Sequence, residues 1–152
     1  ALVAAVAMMP MTYMQAKTWE NTQSLFLHLI QVDPTSAIAK NNLGFLLISR
    51  GMLPEALIMV EEALAENPDY VDALVNKGVI KGRQGKLSES EAALRRAIEI
   101  DPESAQAHFN LGGVYFVRGQ WAQAEAQYNE TLRINPYHED AKRQLEAVRQ
   151  KI

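Results

Sequence analysis

From residue 37 onward, apolar residues recur at helical spacing in paired segments, and a glycine separates the members of each pair. Ala107, Leu111, Val114 and Tyr115 share one helical face, Gly119 interrupts the run, and Ala124, Tyr128, Leu132 and Ile134 resume it. Two helices joined by a tight turn fit this pattern. Applied along the chain, the reading predicts helix pairs over about 37–50 with 53–66, 71–84 with 87–100, and 105–118 with 121–134. Ser88 followed by Glu91 has the spacing of a capping box for the second helix of the middle pair. After Pro136, Ala141, Leu145 and Val148 form one apolar stripe, with Lys142, Arg143, Glu146 and Arg149 off it. That is the composition of a closing helix with one face on a stack and one in water.

The pairs repeat. Gly44, Gly78 and Gly112 are 34 residues apart, and Gly51, Gly85 and Gly119 keep that step seven positions later. Pro34, Pro68, Pro102 and Pro136 step by 34 as well, each directly after Asp33, Asn67, Asp101 or Asn135. Proline is excluded from a helix interior, and glycine adopts a turn conformation at little cost, so both residue types punctuate the pairs at the expected places. The unit resembles the tetratricopeptide repeat, whose signature W-x2-L-G-x2-Y, A-x3-F and P runs over 34 residues. His108, Leu111, Gly112, Tyr115, Ala124, Tyr128 and Pro136 match it best; Lys40, Leu43, Gly44, Leu47, Ala56, Val60 and Pro68 come next. The middle unit is the most degenerate, with Leu74, Lys77, Gly78, Lys81, Ser90, Leu94 and Pro102. The resemblance implies an all-α solenoid of helix-turn-helix units over 37–70, 71–104 and 105–138, closed by a capping helix over 139–152.

Subtracting three periods from Tyr115, Trp121, Tyr128 and Pro136 lands on Tyr13, Trp19, Phe26 and Pro34, so a divergent unit over 1–36 is expected before the others. Its first helix would come from Ala1 to Met14, a segment with no charge before Lys17 and with Pro10 in it. Sixteen uncharged residues span roughly 24 Å as a helix, short of the ~30 Å hydrocarbon core, and suit a cut membrane segment better than a signal peptide. Trp19-Glu20-Asn21, Leu25-Phe26-Leu27-His28, Pro34 and Asn41-Asn42-Leu43-Gly44 resemble the junction in bacterial membrane glycosyltransferase-like proteins that carry tetratricopeptide tails. That resemblance implies a membrane tether upstream of residue 1 and an extracytoplasmic, periplasmic location, with a cytoplasmic adaptor as the alternative. Left in water, the apolar segment would expose too much surface, so it is expected to pack on its own stack, with Tyr13 beside Phe26, or to join two copies in a homodimer.

Composition narrows the chemistry. Net charge is −3 and the pI about 5.6, which leaves no positive field for a phosphate backbone, so nucleic acid is not expected as a partner. There is no cysteine, and His28, His108 and His138 stand in different units without metal-ligand spacing, so neither metal nor cofactor is expected. Gly78 to Lys86 lacks the residues of a phosphate loop, with Ile80 at the first glycine position and Leu87 at the Ser/Thr position. The carboxylates are dispersed over the second helices, without a paired acid and base. The chain does not read as an enzyme.

Two constellations remain. Asn42, Asn76 and Asn110 are one period apart, and an amide both donates and accepts, so a row of them can hold a peptide main chain whatever its sequence. In the tetratricopeptide family this position lines the inner groove, and the row is similar to the asparagine ladder of the O-linked N-acetylglucosamine transferase repeats. Phe45, Ile48, Val75, Val79, Phe109 and Phe116 are the neighbouring groove positions by the same resemblance; their apolar character favours an amphipathic helix or apolar peptide. Chaperone-binding members hold a terminal carboxylate with Lys, Asn and Arg, whereas the groove here offers Asn41, Phe45, Asn76, Gln106 and Asn110. Lys77 and Lys81 replace signature apolar residues at i and i+4. They must snorkel, pair with Glu61 or Glu62, or hold an anion. The expected function is a protein interaction scaffold for a peptide or partner helix. The alternative is the acceptor-recruiting tail of a membrane-embedded glycosyltransferase whose catalytic domain lies outside this chain.

Overall fold

The computed structural model describes residues 22–151, and among them only helices and connecting turns occur. Residues 22–32 are helical and are called α1; after it come α2 (Ala37–Ser49), α3 (Leu53–Glu66), α4 (Val71–Arg83), α5 (Leu87–Ile100), α6 (Ala105–Val117), α7 (Trp121–Ile134) and α8 (Glu139–Arg149). The first part of the expected divergent unit, including Tyr13, Trp19 and the apolar segment from Ala1 to Met14, lies outside the described residues.

Both turn types arise from the residues that punctuate the sequence. Within each hairpin the first helix ends at a glycine with φ of 76° (Gly51), 75° (Gly85) or 72° (Gly119), the left-handed region in which a side chain is strained. The chain then bonds back to the helix end, Met52 N to Leu47 O, Lys86 N to Lys81 O and Gln120 N to Tyr115 O, which satisfies carbonyls there. Between hairpins, the residue before each proline closes an Asx turn. Asp33, Asn67, Asp101 and Asn135 accept through Oδ1 from the backbone N–H two residues on, at 3.0–3.2 Å. Ser36 and Ser104 then cap α2 and α6. The capping box read at Ser88 does not form. α5 begins one residue earlier, at Leu87, and Ser88 Oγ and Glu91 bind Arg118 of the next hairpin instead.

Hairpin closure uses the signature glycines. A Cβ on Gly44 would stand 2.7 Å from Val60 Cγ2, on Gly78 2.6 Å from Leu94 Cγ, and on Gly112 2.6 Å from Tyr128 Cε1. Each glycine is thus a flat spot on which the large residue of the opposite helix lies, and Val60, Leu94 and Tyr128 are buried there. Removing each of these from water contributes about 1.5–3 kcal/mol. Ser90, at the small position beside Gly82, is sealed but donates to Gly78 O at 2.7 Å.

The hairpins stack in order, each second helix meeting the next first helix. First helices also touch one another, α2 with α4 and α4 with α6, whereas α3, α5 and α7 make no comparable contact among themselves. The stack therefore curves with α2, α4 and α6 on the inside. α8 closes it by placing Ala141, Leu145 and Val148 on α7. Among the described residues no helix is long and apolar enough to cross a membrane.

Candidate functional site: a cleft across the inner helices

Residues three and four apart on a helix share a face, and one such stripe on α4 comprises Asp72, Val75, Asn76, Val79 and Arg83. It forms the floor of a cleft of about 440 Å³ whose walls are Asn41, Asn42, Phe45 and Ile48 of α2 and Gln106 and Asn110 of α6. All three asparagines of the expected row line this cleft. Asn76 Nδ2 donates to Asn41 Oδ1 at 2.8 Å, and Asn41 Nδ2 faces Tyr70 Oη at 3.5 Å. Burial, with the nearby Asp72 charge, raises the Tyr70 phenol above its usual range, so it stays protonated in this network. Asn110 Nδ2 donates to Gln106 O one turn back at 2.8 Å. The Asn42 amide makes no hydrogen bond with any described residue. The carbonyl oxygens of Asn76 and Asn110 and the whole Asn42 amide therefore keep bonding capacity at the cleft.

Of the apolar groove positions, Phe45, Ile48, Val75 and Val79 line the cleft, and Phe45 is 61% exposed. Phe109 and Phe116 do not. Phe109 stacks on His138, at the start of α8, at 4.6 Å and on Tyr128 at 5.8 Å, while Phe116 meets Trp121 edge-on at 5.3 Å. The reason is register. Phe109 and Phe116 occupy the positions of Asn41 and Ile48, which on α2 face the following hairpin; on α6 these positions are taken up by His138 at the start of α8 and by Trp121 of α7. Two charged residues of the cleft were missed by sequence reasoning, Asp72 and Arg83. Counting one more helical turn in each direction from Val75, Asn76 and Val79 would have found them.

Lys77 and Lys81 lie on the opposite face of α4 from the cleft floor. Lys77 Nζ is 3.2 Å from Glu61 of α3 and Lys81 Nζ 2.8 Å from Glu89 of α5. The Lys81 side chain is only 9% exposed, so its carboxylate partner offsets the desolvation of the ammonium group. Equivalent positions in the flanking hairpins are filled differently. Leu43 and Leu47 floor an apolar cleft of about 310 Å³ with Leu27, Ile58 and Met59. Tyr115 donates to Glu91 and accepts from Arg95. Hydrogen bonds from Arg95 and Arg118 hold the Glu91 carboxyl below its usual range. His108 is buried between Gln127 and the Pro102 carbonyl, and His138 caps α8. Among the described residues no group of three or more His, Asp or Glu side chains converges on a point where a metal could sit.

Comparison with known proteins bears on the fold. Residues 75–139 match the family model described as tetratricopeptide repeat. No curated protein matches the sequence significantly. Among solved structures, the crystal structure of MamA superposes with a TM-score of 0.75 at 19% identity, covering 91% of this chain and 81% of that one. The first TPR of Spaghetti (RPAP3) bound to the HSP90 peptide SRMEEVD gives 0.72 at 19% identity, covering 78% of this chain and 94% of that one. The Arabidopsis OM64 TPR domain gives 0.74 at 17% identity, covering 77% and 97%. Residues 75–139 are tetratricopeptide repeat sequence, and the described chain folds as a tetratricopeptide repeat solenoid.

Proposed function

We propose that the chain is an interaction scaffold whose inner cleft binds a peptide segment of a partner protein, with Asn42, Asn76 and Asn110 bonding its main chain. The unit division that accompanies this reading is a divergent unit over 1–36, repeats over 37–70, 71–104 and 105–138, and a cap over 139–152. The observation that carries the reading is the row of amides with unspent bonding capacity along one open cleft. An amide ladder fits an extended main chain, whose N–H and C=O groups recur whatever the side chains. Phe45, Ile48, Val75 and Val79 give side chains of that peptide apolar surface beside the amides. Support by likeness comes from the Spaghetti domain, a similar fold that is bound to a peptide.

The test uses Asn42→Ala and Asn110→Ala, which remove bonding capacity without opening the core, because neither amide holds another side chain in place. Peptides enriched from a random displayed library by the wild-type chain should bind each variant about tenfold more weakly, the loss of one hydrogen bond in a desolvated cleft. Enriched peptides whose affinity is the same for wild type and both variants would refute the ladder.

A further inference from the structure

A second cleft, of about 320 Å³, opens beside the first between α4, α5 and α6, and the two share Val79, Arg83 and Asn110. Its existence depends on missing side chains. Gly82 and Gly113 face into it, and a Cβ built on Gly113 would meet nothing closer than Tyr128 Oη at 4.0 Å. The remaining lining is mostly apolar, from Val79, Leu87, Val114 and Val117, and Val117 is 69% exposed at the rim. Glycine inside a helix lowers its stability relative to alanine. No close approach by another helix accounts for Gly113, in contrast to Gly44, Gly78 and Gly112.

Arg83 stands where the two clefts meet. Its one side-chain hydrogen bond among the described residues is from Nη1 to Ile48 O at 2.9 Å, and no described carboxylate lies within ion-pair reach of it. The contrast is with Arg95, Arg96, Arg118, Arg133, Arg143 and Arg149, all of which are paired. Placement in the last turn of α4 favours a cation through the helix dipole, but a dipole contact needs neither the cleft nor the unspent donors. Asp72 sits at the other end of the same stripe, about 16 Å away along the helix, so the cleft is negative at one end and positive at the other.

Resting on the peptide-groove reading, we propose that the preferred ligand carries an aliphatic side chain next to a carboxylate, the aliphatic group seating between Gly82 and Gly113 and the carboxylate pairing with Arg83. The carboxylate supplies the partner that the guanidinium lacks, and the side chain fills the space the glycines leave. The polarity of the stripe fixes the direction in which the peptide lies, its acidic group at the Arg83 end.

The experiment is selection from a random linear peptide library on the intact chain, followed by calorimetric titration of the enriched synthetic peptides against wild type, Arg83→Gln, Gly113→Leu and Asn42→Ala. Gly113→Leu fills the second cleft from its open side, so its melting temperature stays at or above that of wild type, which shows that any lost binding is not lost folding. Enriched peptides should pair Leu, Ile, Val or Met with Asp, Glu or a terminal carboxylate. Arg83→Gln and Gly113→Leu should each weaken binding by about tenfold or more, and Arg83→Gln should also flatten its salt dependence. Peptides that require Asn42 but tolerate either Arg83→Gln or Gly113→Leu overturn this proposal and leave the groove reading standing. No enrichment, or peptides indifferent to all three substitutions, overturns both.

Discussion

If the flat spot at Gly78 exists to receive Leu94, two substitutions that are each harmful should compensate when combined. In Gly78→Ala the new Cβ would lie 2.6 Å from Leu94 Cγ and 2.8 Å from Cδ2, both inside any tolerable contact, and the leucine between two packed helices has little room to withdraw. Overpacking at so close an approach costs about 2–3 kcal/mol, and the better helix propensity of alanine returns about 1, so a net loss of about 1–2 kcal/mol is expected. Leu94→Ala removes a fully buried side chain and leaves a cavity, a loss of about 3–4 kcal/mol. Independent effects would sum to about 4–6 kcal/mol. In the double variant the clash is gone, the methyl group introduced at position 78 occupies part of the vacated space, and the propensity gain survives. The loss should then be about 2–3 kcal/mol, smaller than for Leu94→Ala alone. Urea unfolding followed by far-UV circular dichroism on the four proteins gives the coupling, provided the slopes agree. A double variant no more stable than Leu94→Ala would show that the glycine is not there for the leucine.

Local geometry gives two further outcomes. Gly119→Ala forces a side chain into φ near +72°, and should destabilise the last hairpin by about 1–2 kcal/mol in thermal unfolding; an unchanged melting temperature would remove the strain argument. Burial raises the Tyr128 phenol from 10.0 to about 12, so its contribution to stability is intact below about pH 10 and is lost as pH climbs from there towards 12, by of the order of 2 kcal/mol. Urea midpoints measured across that window should fall more steeply for wild type than for Tyr128→Phe, and parallel curves would refute it.

Helix positions were legible because the punctuation is chemical. Glycine at positive φ and an Asx residue before proline can each be read from residue type alone, and the helix expected over 37–50 ends at Ser49. The row of asparagines was legible for the same reason: a fixed period keeps a fixed face. What could not be read was what each face meets. Phe109 keeps the register of Val75, but its ring stacks on His138 and Tyr128 whereas Val75 lines the cleft, so equal positions meet different side chains. Ser88 and Glu91 have capping-box spacing, yet Arg118, twenty-seven residues beyond Glu91, offers a charge-assisted bond that a local motif cannot match. Arg83 falls on the cleft stripe by counting from Val79, but its lack of an acidic partner among the described residues could not be read, because it depends on where every other described carboxylate lies.

The variation on the outer side of the inner helices bears on how three similar hairpins keep their order. Nearest-neighbour stacking alone would let any second helix cover any first helix, since each carries the same small and large positions. The fillings differ, however: Leu43 and Leu47 under Leu27, Lys77 and Lys81 beside Glu61 and Glu89, Tyr115 beside Glu91 and Arg95. Placing α4 beneath α1 would set Lys77 below Leu27 in place of Glu61. The side chains of Lys77 and Glu61 are 32% and 49% exposed, so losing that pair costs about 0–1 kcal/mol, while Lys81 keeps Glu89 of its own hairpin in any order. The degenerate middle repeat, weakest against the tetratricopeptide signature, on this argument adds a bias to the order of the stack and does not set it alone.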